Sequence, residues 1–433
     1  MKTFRYEKAV PVAGHYDVVI CGGGPAGIGA AVAAAERGAK TLLVERFGFL
    51  GGMATAGYVA PMSEFSCNGV RVTGGIPWRF FEELAAIGGA LLEEPRGNVA
   101  FDPEKYKLVA RRMVARAGCE CLMNTCLADC VMDGDKVRGV VVVNKSGMCL
   151  VEGDYFIDAT GDADLANFAR VPMQEQTRDR QPGTLCFYLG GVDTSTDRMK
   201  IVHQNGRFNK AGFVREILLA LRERGVDVPL FGGPWFCTTL HDGCVTVNIT
   251  RAAMDAVNSS DYQRAETQMR EDAFKLVELL KTHVSEFANC FISSTATVAG
   301  IRESRRIKGL YTMTGEEYLG AVHYPDAVAR ACHPVDIHLP GTEGQLVTFP
   351  EEAGYIPYRS MIAADRPNLI VAGRCISADA EAFAAIRVQA PCMELGQAAG
   401  IAAALCLQAG KIPVQQLDSG KLVAAVRQAG SLV

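Results

Sequence analysis

The feature that most constrains the fold of this 433-residue chain is a cluster of glycines between an apolar run and an alanine-rich run. The stretch VVICGGGPAGIG, residues 18–29, contains the pattern G-x-G-x-x-G at Gly22, Gly24 and Gly27. A predicted strand precedes the pattern and a predicted helix follows it, which is the arrangement that places a pyrophosphate at a helix N-terminus. The spacing therefore predicts the first part of a βαβ unit that binds an adenine dinucleotide.

A carboxylate at the end of the next predicted strand supports this prediction. Glu45 ends the run KTLLVE, 18 residues after Gly27, where an acidic side chain can accept hydrogen bonds from ribose hydroxyls. The same charge would repel a 2′-phosphate, so NADP is the least suitable adenine dinucleotide. The fingerprint by itself leaves FAD and NAD open.

Composition excludes several other classes of protein. The chain is 49% hydrophobic with a net charge of -4, and its 44 basic and 48 acidic residues are interspersed, so we expect neither nucleic acid nor membrane as a partner. We see no signal-peptide pattern and expect a cytoplasmic protein.

The cysteines do not indicate a metal site. Of the 15 cysteines, most are expected to be small buried residues. The segment CECLMNTCLADC alternates as a strand does, and we predict no metal site.

The order of predicted elements divides the chain into three parts. Residues 1–172 contain the βαβ start, two helices and a β meander, and residues 173–340 mix β runs such as CVTVNIT with helices. Residues 341–433 return to the strand, glycine and helix pattern of the N-terminal part. We therefore expect an α/β fold in which the first and last parts form one dinucleotide-binding domain and the middle part is an inserted mixed α+β substrate domain.

Four segments together resemble the FAD-dependent oxidoreductase family. In chain order they are VVICGGGPAGIGAAVAAAERGAKTLLVERFGFLGGMAT, FIDATGDADLA, RESRRIKG and NLIVAGRCISADAEAFAAIRVQAPCMELGQAAGIAAA. The resemblance implies FAD as the cofactor and a Rossmann-like FAD-binding domain of the glutathione-reductase type, completed by the C-terminal segment. The 170–290 region carries no recognised motif.

The resemblance also implies which residues contact FAD. It assigns the pyrophosphate to Gly22, Gly24, Pro25, Ala26 and Gly27, and the diphosphate and ribityl chain to Gly51, Gly52, Met53, Ala54 and Thr55. On the adenosine side it assigns the ribose to Glu45 and Arg46, the adenine to Leu127 and Ala128, and the closure over adenosine to Ala159, Thr160 and Gly161. It assigns the flavin to Gly373, Arg374 and a helix start at Glu394 to Gln397. One position departs from the pattern, because Arg374 stands where many flavoproteins of this fold have an aspartate for the ribityl hydroxyls.

The catalytic candidates are polar residues in the later segments. His338, in HPVDIH, is a candidate proton carrier near neutral pH. Arg302, Arg305 and Arg387 could bind a carboxylate through paired hydrogen bonds. An ordinary loop histidine and arginines in a solvated face or a structural ion pair are the alternative interpretations.

The function that these features favour is hydride transfer between FAD and a small polar organic substrate that carries a carboxylate. No second glycine fingerprint follows, and only Cys67 lies soon after the first loop, which disfavours a pyridine-nucleotide–disulfide reductase. A flavin-dependent hydroxylase, suggested by GDAD, an electron-transfer subunit that serves a partner protein, and an NAD-dependent dehydrogenase stay open as alternatives. The substrate, the electron donor or acceptor and the oligomeric state are unknown at this point.

Overall fold

The computed structural model describes residues 3–176, 179–199, 212–238 and 240–433. Its strands are β1 (Val12–Cys21), β2 (Thr41–Val44), β3 (Ser66–Cys67), β4 (Val70–Arg71), β5 (Ala90–Glu93), β6 (Asn98–Phe101), β7 (Glu120–Leu122), β8 (Cys126–Asp133), β9 (Lys136–Asn144), β10 (Gly147–Asp158), β11 (Phe187–Gly190), β12 (Phe231–Thr238), β13 (Val245–Thr250), β14 (Phe291–Thr295), β15 (Ala327–Ala331), β16 (Val335–His338), β17 (Gln345–Thr348), β18 (Gly354–Pro357) and β19 (Leu369–Val371). Its helices are α1 (Pro25–Glu36), α2 (Gly75–Ala86), α3 (Pro103–Arg116), α4 (Asp164–Phe168), α5 (Gly212–Glu223), α6 (Ser259–His283), α7 (Gly315–Leu319), α8 (Ala380–Ile386), α9 (Gln389–Gln408) and α10 (Ser419–Gln428).

The largest sheet has the order β7-β2-β1-β10-β9-β8, and β19 also pairs with β10. Strands β7, β2, β1, β10 and β19 are parallel, whereas β8 and β9 are antiparallel additions. Strand β10 is long enough to pair with β9 over its first half and with β19 over its second half. The predicted α/β class and the parallel βαβ start are confirmed.

The C-terminal helix α9 lies directly against α1. A Cβ atom added at Gly396 would stand 1.9 Å from the carbonyl oxygen of Ala26, and one added at Gly29 would stand 2.2 Å from that of Met393. Such distances mean that the two helix backbones touch, and only glycine permits this. Residues near position 30 and near position 400 therefore form one packed layer.

Among the described residues, α9 is the only helix that is long and apolar enough to cross a bilayer. Of its most apolar window, 89% is buried inside the protein. A helix that is hydrophobic on all sides is expected where it is enclosed by other elements, and α9 is enclosed by α1 and α2, by β10 and by β15.

A second, antiparallel sheet of order β12-β13-β11-β14 lies in the middle of the chain. Helices α5 and α6 cover it, and together they bury a separate hydrophobic core that includes Phe187, Val247, Leu276 and Phe287. Helix α6 begins after Asn258, whose side chain accepts hydrogen bonds from the Ser260 and Asp261 amides. No strand joins this region to the large sheet in the described residues. The region therefore stands as a separate sheet with its own core.

Two two-stranded ribbons, β15–β18 and β16–β17, follow this region in the chain. Cys67 and Cys332 form a disulfide with a Cα–Cα distance of 5.7 Å, which ties the β3–β4 hairpin to the residue after β15. Seven further cysteines are free and buried, namely Cys21, Cys119, Cys186, Cys290, Cys375, Cys392 and Cys406. A cross-link between two cysteines 265 residues apart has no signature in sequence.

Candidate functional site

A cavity of about 340 Å³ opens at the carboxyl ends of β1, β2 and β10, where the glycine-rich turn leads into α1. This is the edge of a parallel sheet at which α/β proteins bind ligands. We call it the dinucleotide cavity. Of the residues predicted to contact FAD, those that line it are Gly22, Gly24, Pro25, Ala26, Glu45, Arg46, Gly52, Met53, Leu127, Ala159, Thr160, Gly161, Gly373 and Arg374.

The three fingerprint glycines serve different purposes in this turn. Gly22 has φ +102°, and a Cβ there would stand 2.4 Å from the Ala159 carbonyl oxygen. A Cβ at Gly27 would stand 1.8 Å from the carbonyl oxygen of Gly22, so this glycine lets strand and helix pack closely. Gly24 faces the cavity, and the nearest atom to its added Cβ is 3.7 Å away, on Gly52.

The first turn of α1 is available to an anion. Its N-cap is Gly24, and no side chain caps the first amide groups. Uncapped N–H groups at a helix start carry a partial positive charge and seek acceptors. Because these amides face the dinucleotide cavity, a phosphate group can satisfy them.

Glu45 holds the glycine-rich turn and lines the cavity at the same time. Its two carboxylate oxygens accept hydrogen bonds from the Gly23 amide, at 2.6 Å, and from the Phe47 amide, at 2.8 Å. Burial raises the pKa of Glu45, and these two hydrogen bonds act in the opposite direction. The side chain is therefore already positioned at the end of β2, where a ribose would be bound.

A buried aspartate at the end of β10 shapes the opposite wall. Asp158 accepts hydrogen bonds from the Thr160 amide and hydroxyl, at 3.0 and 2.7 Å, and from the Ala166 amide at 2.8 Å. Burial raises the pKa of Asp158, which those hydrogen bonds counteract. The Thr160–Gly161 turn is thereby fixed over the cavity.

Arg374 faces both this wall and the neighbouring cavity. Its Nη2 donates to Asp162 Oδ1 at 3.0 Å, and its Nη1 is buried without a hydrogen-bond partner in the part of the chain that the structure describes. Asp162 lines the dinucleotide cavity as well, although sequence analysis did not select it. Arg374 stands where many flavoproteins of this fold have an aspartate, and in this protein Asp162 supplies an acidic side chain on the other side of the cavity.

Some residues predicted to contact the cofactor do not line the cavity. These are Gly27, Gly51, Ala54, Thr55, Ala128 and Gln397. Thr55 donates to the Leu50 carbonyl and so folds the glycine-rich loop on itself. Gln397 accepts from the Ile76 amide and donates to Ser431, which anchors α2 and the C-terminal residues. The predicted helix start at Glu394 to Gln397 is one turn late: α9 begins at Gln389, and it is Gln389 and Cys392 that line the cavity.

A second cavity, of about 560 Å³, shares Met53, Arg374, Arg387 and Gln389 with the first. We call it the substrate cavity. Its walls come from the segment after the glycine-rich loop, from the second sheet, and from the β16–β17 ribbon. Three of the four catalytic candidates, Arg302, Arg387 and His338, line it.

Arg302 is partly buried in this cavity, and the partners of its side-chain hydrogen bonds are all neutral. Its guanidinium donates to the Pro182 carbonyl at 2.9 Å, to Thr184 Oγ1 at 2.6 Å and to Asn248 Oδ1 at 3.3 Å. No carboxylate oxygen of the described residues makes a salt bridge with it. Burial lowers the pKa of Arg302, and the charge of the Asp336 carboxylate acts in the opposite direction. A cation whose hydrogen bonds go only to neutral acceptors gains from a bound anion.

Arg387 lies beside it at the junction of the two cavities. It donates to the Asp336 carbonyl at 2.9 Å and to the Arg302 carbonyl at 3.3 Å, and the Asp336 carboxylate is 4.0 Å away. Burial lowers the pKa of Arg387 to about 10, so it is charged at neutral pH.

His338 lines the cavity but offers no free ring nitrogen, which corrects its assignment as the proton carrier. Nδ1 lies 2.8 Å from Arg251 Nη2, and Nε2 lies 3.0 Å from Asp336 Oδ2. Because a guanidinium can only donate, Nδ1 is the acceptor and Nε2 carries the hydrogen. Burial lowers the pKa of His338 to about 3, so the ring is neutral and both of its nitrogens are occupied.

Arg305 does not line either cavity. It donates to the Asp162 carbonyl at 2.8 Å and forms an ion pair with Asp164. The structural ion pair considered as its alternative is therefore the arrangement observed. It holds α4 near the dinucleotide cavity instead of facing a substrate.

Two acid–base groups of the substrate cavity were not selected from sequence. Burial raises the pKa of Glu64 to about 7, although Arg96 lies 3.1 Å from it. His333 Nδ1 is buried without a partner among the described residues, and burial lowers the pKa of that ring to about 4. A carboxylate two residues after the apolar, glycine-rich stretch GFLGGMATAGYVAPM is the signal that could have identified Glu64.

A family model described as FAD dependent oxidoreductase matches residues 17–429. This chain belongs to that family. The match spans both cavities and the whole parallel sheet, and it makes the protein an FAD-dependent enzyme, so NAD as the resident cofactor is set aside. FAD supplies two-electron redox chemistry when bound.

Two curated relatives of this oxidoreductase match part of it. Thiamine thiazole synthase of Methanococcus vannielii is 30% identical over 156 residues, which are 34% of this chain and 56% of the relative. Digeranylgeranylglycerophospholipid reductase 2 of Methanothermobacter thermautotrophicus is 30% identical over 218 residues, 46% of this chain and 53% of the relative. The chain thus spans little more than half the length of these relatives.

Solved structures align over most of the oxidoreductase. A geranylgeranyl bacteriochlorophyll reductase-like protein of Thermoplasma acidophilum has a TM-score of 0.48 at 14% identity, covering 96% of this chain and 84% of that one. A flavin-dependent brominase has a TM-score of 0.49 at 15% identity, covering 96% and 83%.

The residues of the dinucleotide cavity fit FAD. The uncapped α1 amides suit the pyrophosphate, and the buried Glu45 carboxylate suits the ribose. The unpartnered Nη1 of Arg374 stands where the two cavities join, and the uncapped start of α9 at Gln389 lies at the same junction. A helix start and a guanidinium there favour negative charge on a bound ring.

Proposed function

We propose that this oxidoreductase transfers a hydride between FAD and an organic carboxylate held in the substrate cavity. One observation carries the proposal: Arg302 is partly buried in a cavity that joins the dinucleotide cavity, and its guanidinium donates hydrogen bonds only to neutral acceptors among the described residues. Arginine binds carboxylates through two parallel hydrogen bonds. A substrate carboxylate is the group that would neutralise this charge.

Each side chain of the cavity has a role in this proposal. Arg302 and Arg387 bind and orient the carboxylate. His338 and Asp336 position Arg251 and Arg387 through the contacts described above. Glu64, with a pKa raised to about 7, gains or loses the proton that accompanies hydride transfer, because a general acid or base works best when its pKa lies near the operating pH.

The finer architecture belongs to the same proposal. A glutathione-reductase-type FAD domain would comprise residues 1–172 and 341–433, with residues 173–340 inserted as the substrate domain. The contact between α1 and α9 and the separate core around Phe187 and Phe287 support this division. The electron donor or acceptor is proposed to be a small molecule, and a cytoplasmic location stays a prediction.

The test is anaerobic reduction of the purified holoenzyme by pairs of compounds. Each hydroxy acid or amino acid is compared with its own amide, and bleaching of the oxidised flavin band is recorded. We expect acids to bleach the flavin and amides to fail. Arg302→Met should raise the Kd of an active acid about 100-fold, since losing one partner of a buried charged hydrogen bond costs about 3 kcal/mol.

Arg138→Met serves as the matched control, because Arg138 pairs with Glu152 on the exposed face of the sheet. Acids and amides that react equally well would overturn the proposal. NADPH or NADH oxidation that accelerates with an aromatic compound and oxygen would favour the flavin-dependent hydroxylase instead. Reduction that needs a co-purified protein would favour the electron-transfer subunit.

A further inference from the structure

The wall of the substrate cavity formed by β16 and β17 is polar at one end and apolar at the other. The two strands pair Asp336 with Val347 and His338 with Gln345. Side chains alternate along a strand, and Gln345, Val347 and Phe349 all line the cavity. Every second residue along β17, from Gln345 to Val347 and on to Phe349, thus continues the same cavity face towards its solvent-exposed mouth.

The apolar end of this wall is open to solvent. Phe349 is 54% exposed and Val347 is 36% exposed, although both line the cavity. Further apolar residues line the cavity, namely Val59, Ala60, Pro61, Ile301, Pro334 and Val388. Apolar surface that lines a binding cavity and remains exposed marks a place where a ligand can exclude water.

The opposite end of the substrate cavity, which carries arginines, lies at the junction with the dinucleotide cavity. Arg387 and Arg374 line both cavities, and Arg302 donates to Thr184 and Asn248 on the second sheet. Arg302, Arg374 and Arg387 are therefore at the flavin end. Val347 and Phe349 are at the solvent end, where the Arg96 guanidinium, paired with Glu64, lies 4.3 Å from the centroid of the Phe349 ring. The volume of about 560 Å³ lies in the range that encloses a ligand much larger than a two- or three-carbon acid.

We infer that the substrate is an amphiphilic carboxylate, whose acid group binds the arginines and whose hydrocarbon tail extends along Val347 and Phe349 to the mouth. This inference rests on the proposed function and names its substrate class. With the acid group at the junction, the bond that is oxidised or reduced lies within a few atoms of the carboxylate. Phe349 then determines specificity for the length of the tail.

The test uses straight-chain saturated carboxylates from acetate to decanoate, below their micelle concentrations, with FAD-loaded enzyme. Trp235 lines the cavity with its ring 5.3 Å from that of His338, so its fluorescence reports binding without turnover. The chain has two tryptophans, and Trp78→Phe removes the other signal. We expect the Kd to fall about fourfold for each added CH₂ that contacts the wall.

Two variants separate the tail from the acid group. Phe349→Ser should flatten the dependence on chain length and leave the Kd of acetate unchanged, whereas Arg302→Met should weaken all acids by the same factor. Leu346→Ser is the matched control, because Leu346 is 57% exposed on the opposite face of β17 and should leave the dependence intact. Val347→Ser repeats the test if Phe349→Ser yields no folded protein.

The outcomes distinguish this inference from the function on which it rests. Short and long acids that bind equally tightly would overturn the amphiphilic substrate and leave the carboxylate proposal standing. A dependence on chain length that survives both Phe349→Ser and Val347→Ser would also overturn the assignment of this wall. Alkanols that bind as tightly as the acids of equal length would overturn the carboxylate proposal itself.

Discussion

The dinucleotide cavity and the substrate cavity are adjacent, yet they are built in different ways. The first is formed largely by backbone turns at glycines, such as Gly22 and Gly373, which follow the parallel strands β1 and β19 on either side of β10. The second is formed by side chains from segments that range from residue 53 to residue 389. The cofactor site is therefore a property of the fold, whereas the substrate site depends on individual side chains that can change without altering the fold.

The largest effect is expected where two backbones touch beneath the dinucleotide cavity. Gly396→Val would place a side chain 1.9 Å from the Ala26 carbonyl oxygen, and overpacking of this kind costs about 3 kcal/mol or more. We expect loss of bound FAD and a lower melting temperature, measured by the flavin-to-protein absorbance ratio and by calorimetry. Gly212→Ala is the control, since nothing lies within 4 Å of a Cβ added there. A flavin-replete Gly396→Val protein would contradict the packing of α9 on α1.

A change in the substrate cavity should affect turnover and spare the flavin. Glu64→Gln is expected to lower kcat about 100-fold, the size of a typical general acid–base contribution, with FAD still bound. For oxidation of a substrate the carboxylate must be ionised, so kcat/KM should rise with pH through about 7 in the wild type and become flat in the variant.

Arg96 sharpens this test because its charge opposes the effect of burial. Removing that cation by Arg96→Met should raise the pKa of Glu64 further and move the pH profile towards higher pH. A profile that stays in place, or that persists in Glu64→Gln, would mean that another group exchanges the proton.

A smaller effect is expected from one polar contact of the cofactor site. Glu45→Ala removes the acceptor for the Gly23 and Phe47 amides as well as the proposed ribose contact. We expect FAD to bind about tenfold more weakly, since one or two hydrogen bonds to a charged group contribute roughly 1.5 to 3 kcal/mol. Fluorescence titration of the apoprotein with FAD measures this, and an unchanged Kd would exclude Glu45 from ribose binding.

The smallest effect is expected at the thiol that lines the dinucleotide cavity. Burial raises the pKa of Cys392 to about 12, so the reactive thiolate is absent at neutral pH. Cys392→Ala should therefore alter flavin content and turnover less than twofold, and acid precipitation should release FAD from the wild type. Flavin that stays with the precipitated protein, and that Cys392→Ala releases, would reveal a covalent bond.

The difference between a cavity built from backbone turns and one built from distant side chains also explains how much could be predicted from sequence. The fingerprint at Gly22, the carboxylate at Glu45 and the return of a glycine and helix segment at Gly373 are local patterns, and each was located correctly because it follows the end of a strand in the parallel sheet. The two helices predicted after the βαβ start are also present as α2 and α3.

The substrate cavity could be predicted only in part. Arg387 was selected as a charged residue in apolar surroundings, and Arg302 was selected together with Arg305 from the segment RESRR. Arg302 lines the cavity, but Arg305 turns to Asp164 instead. The choice between the two depends on which way each side chain leaves the backbone. His338 was selected for its residue type, whereas its partners Arg251 and Asp336 decide that it is held neutral. The pairing of Glu64 with Arg96, and of Cys67 with Cys332, arises from chain folding and has no local pattern.

The contact between α1 and α9 also has a consequence for biosynthesis. The ribosome delivers the phosphate-binding turn more than 350 residues before the helix that closes the site. Until α9 is synthesised, the face of α1 that it covers has no partner. We therefore expect cofactor capture only after α9 has emerged, and products of translation that stop before α9 should be colourless and prone to aggregate.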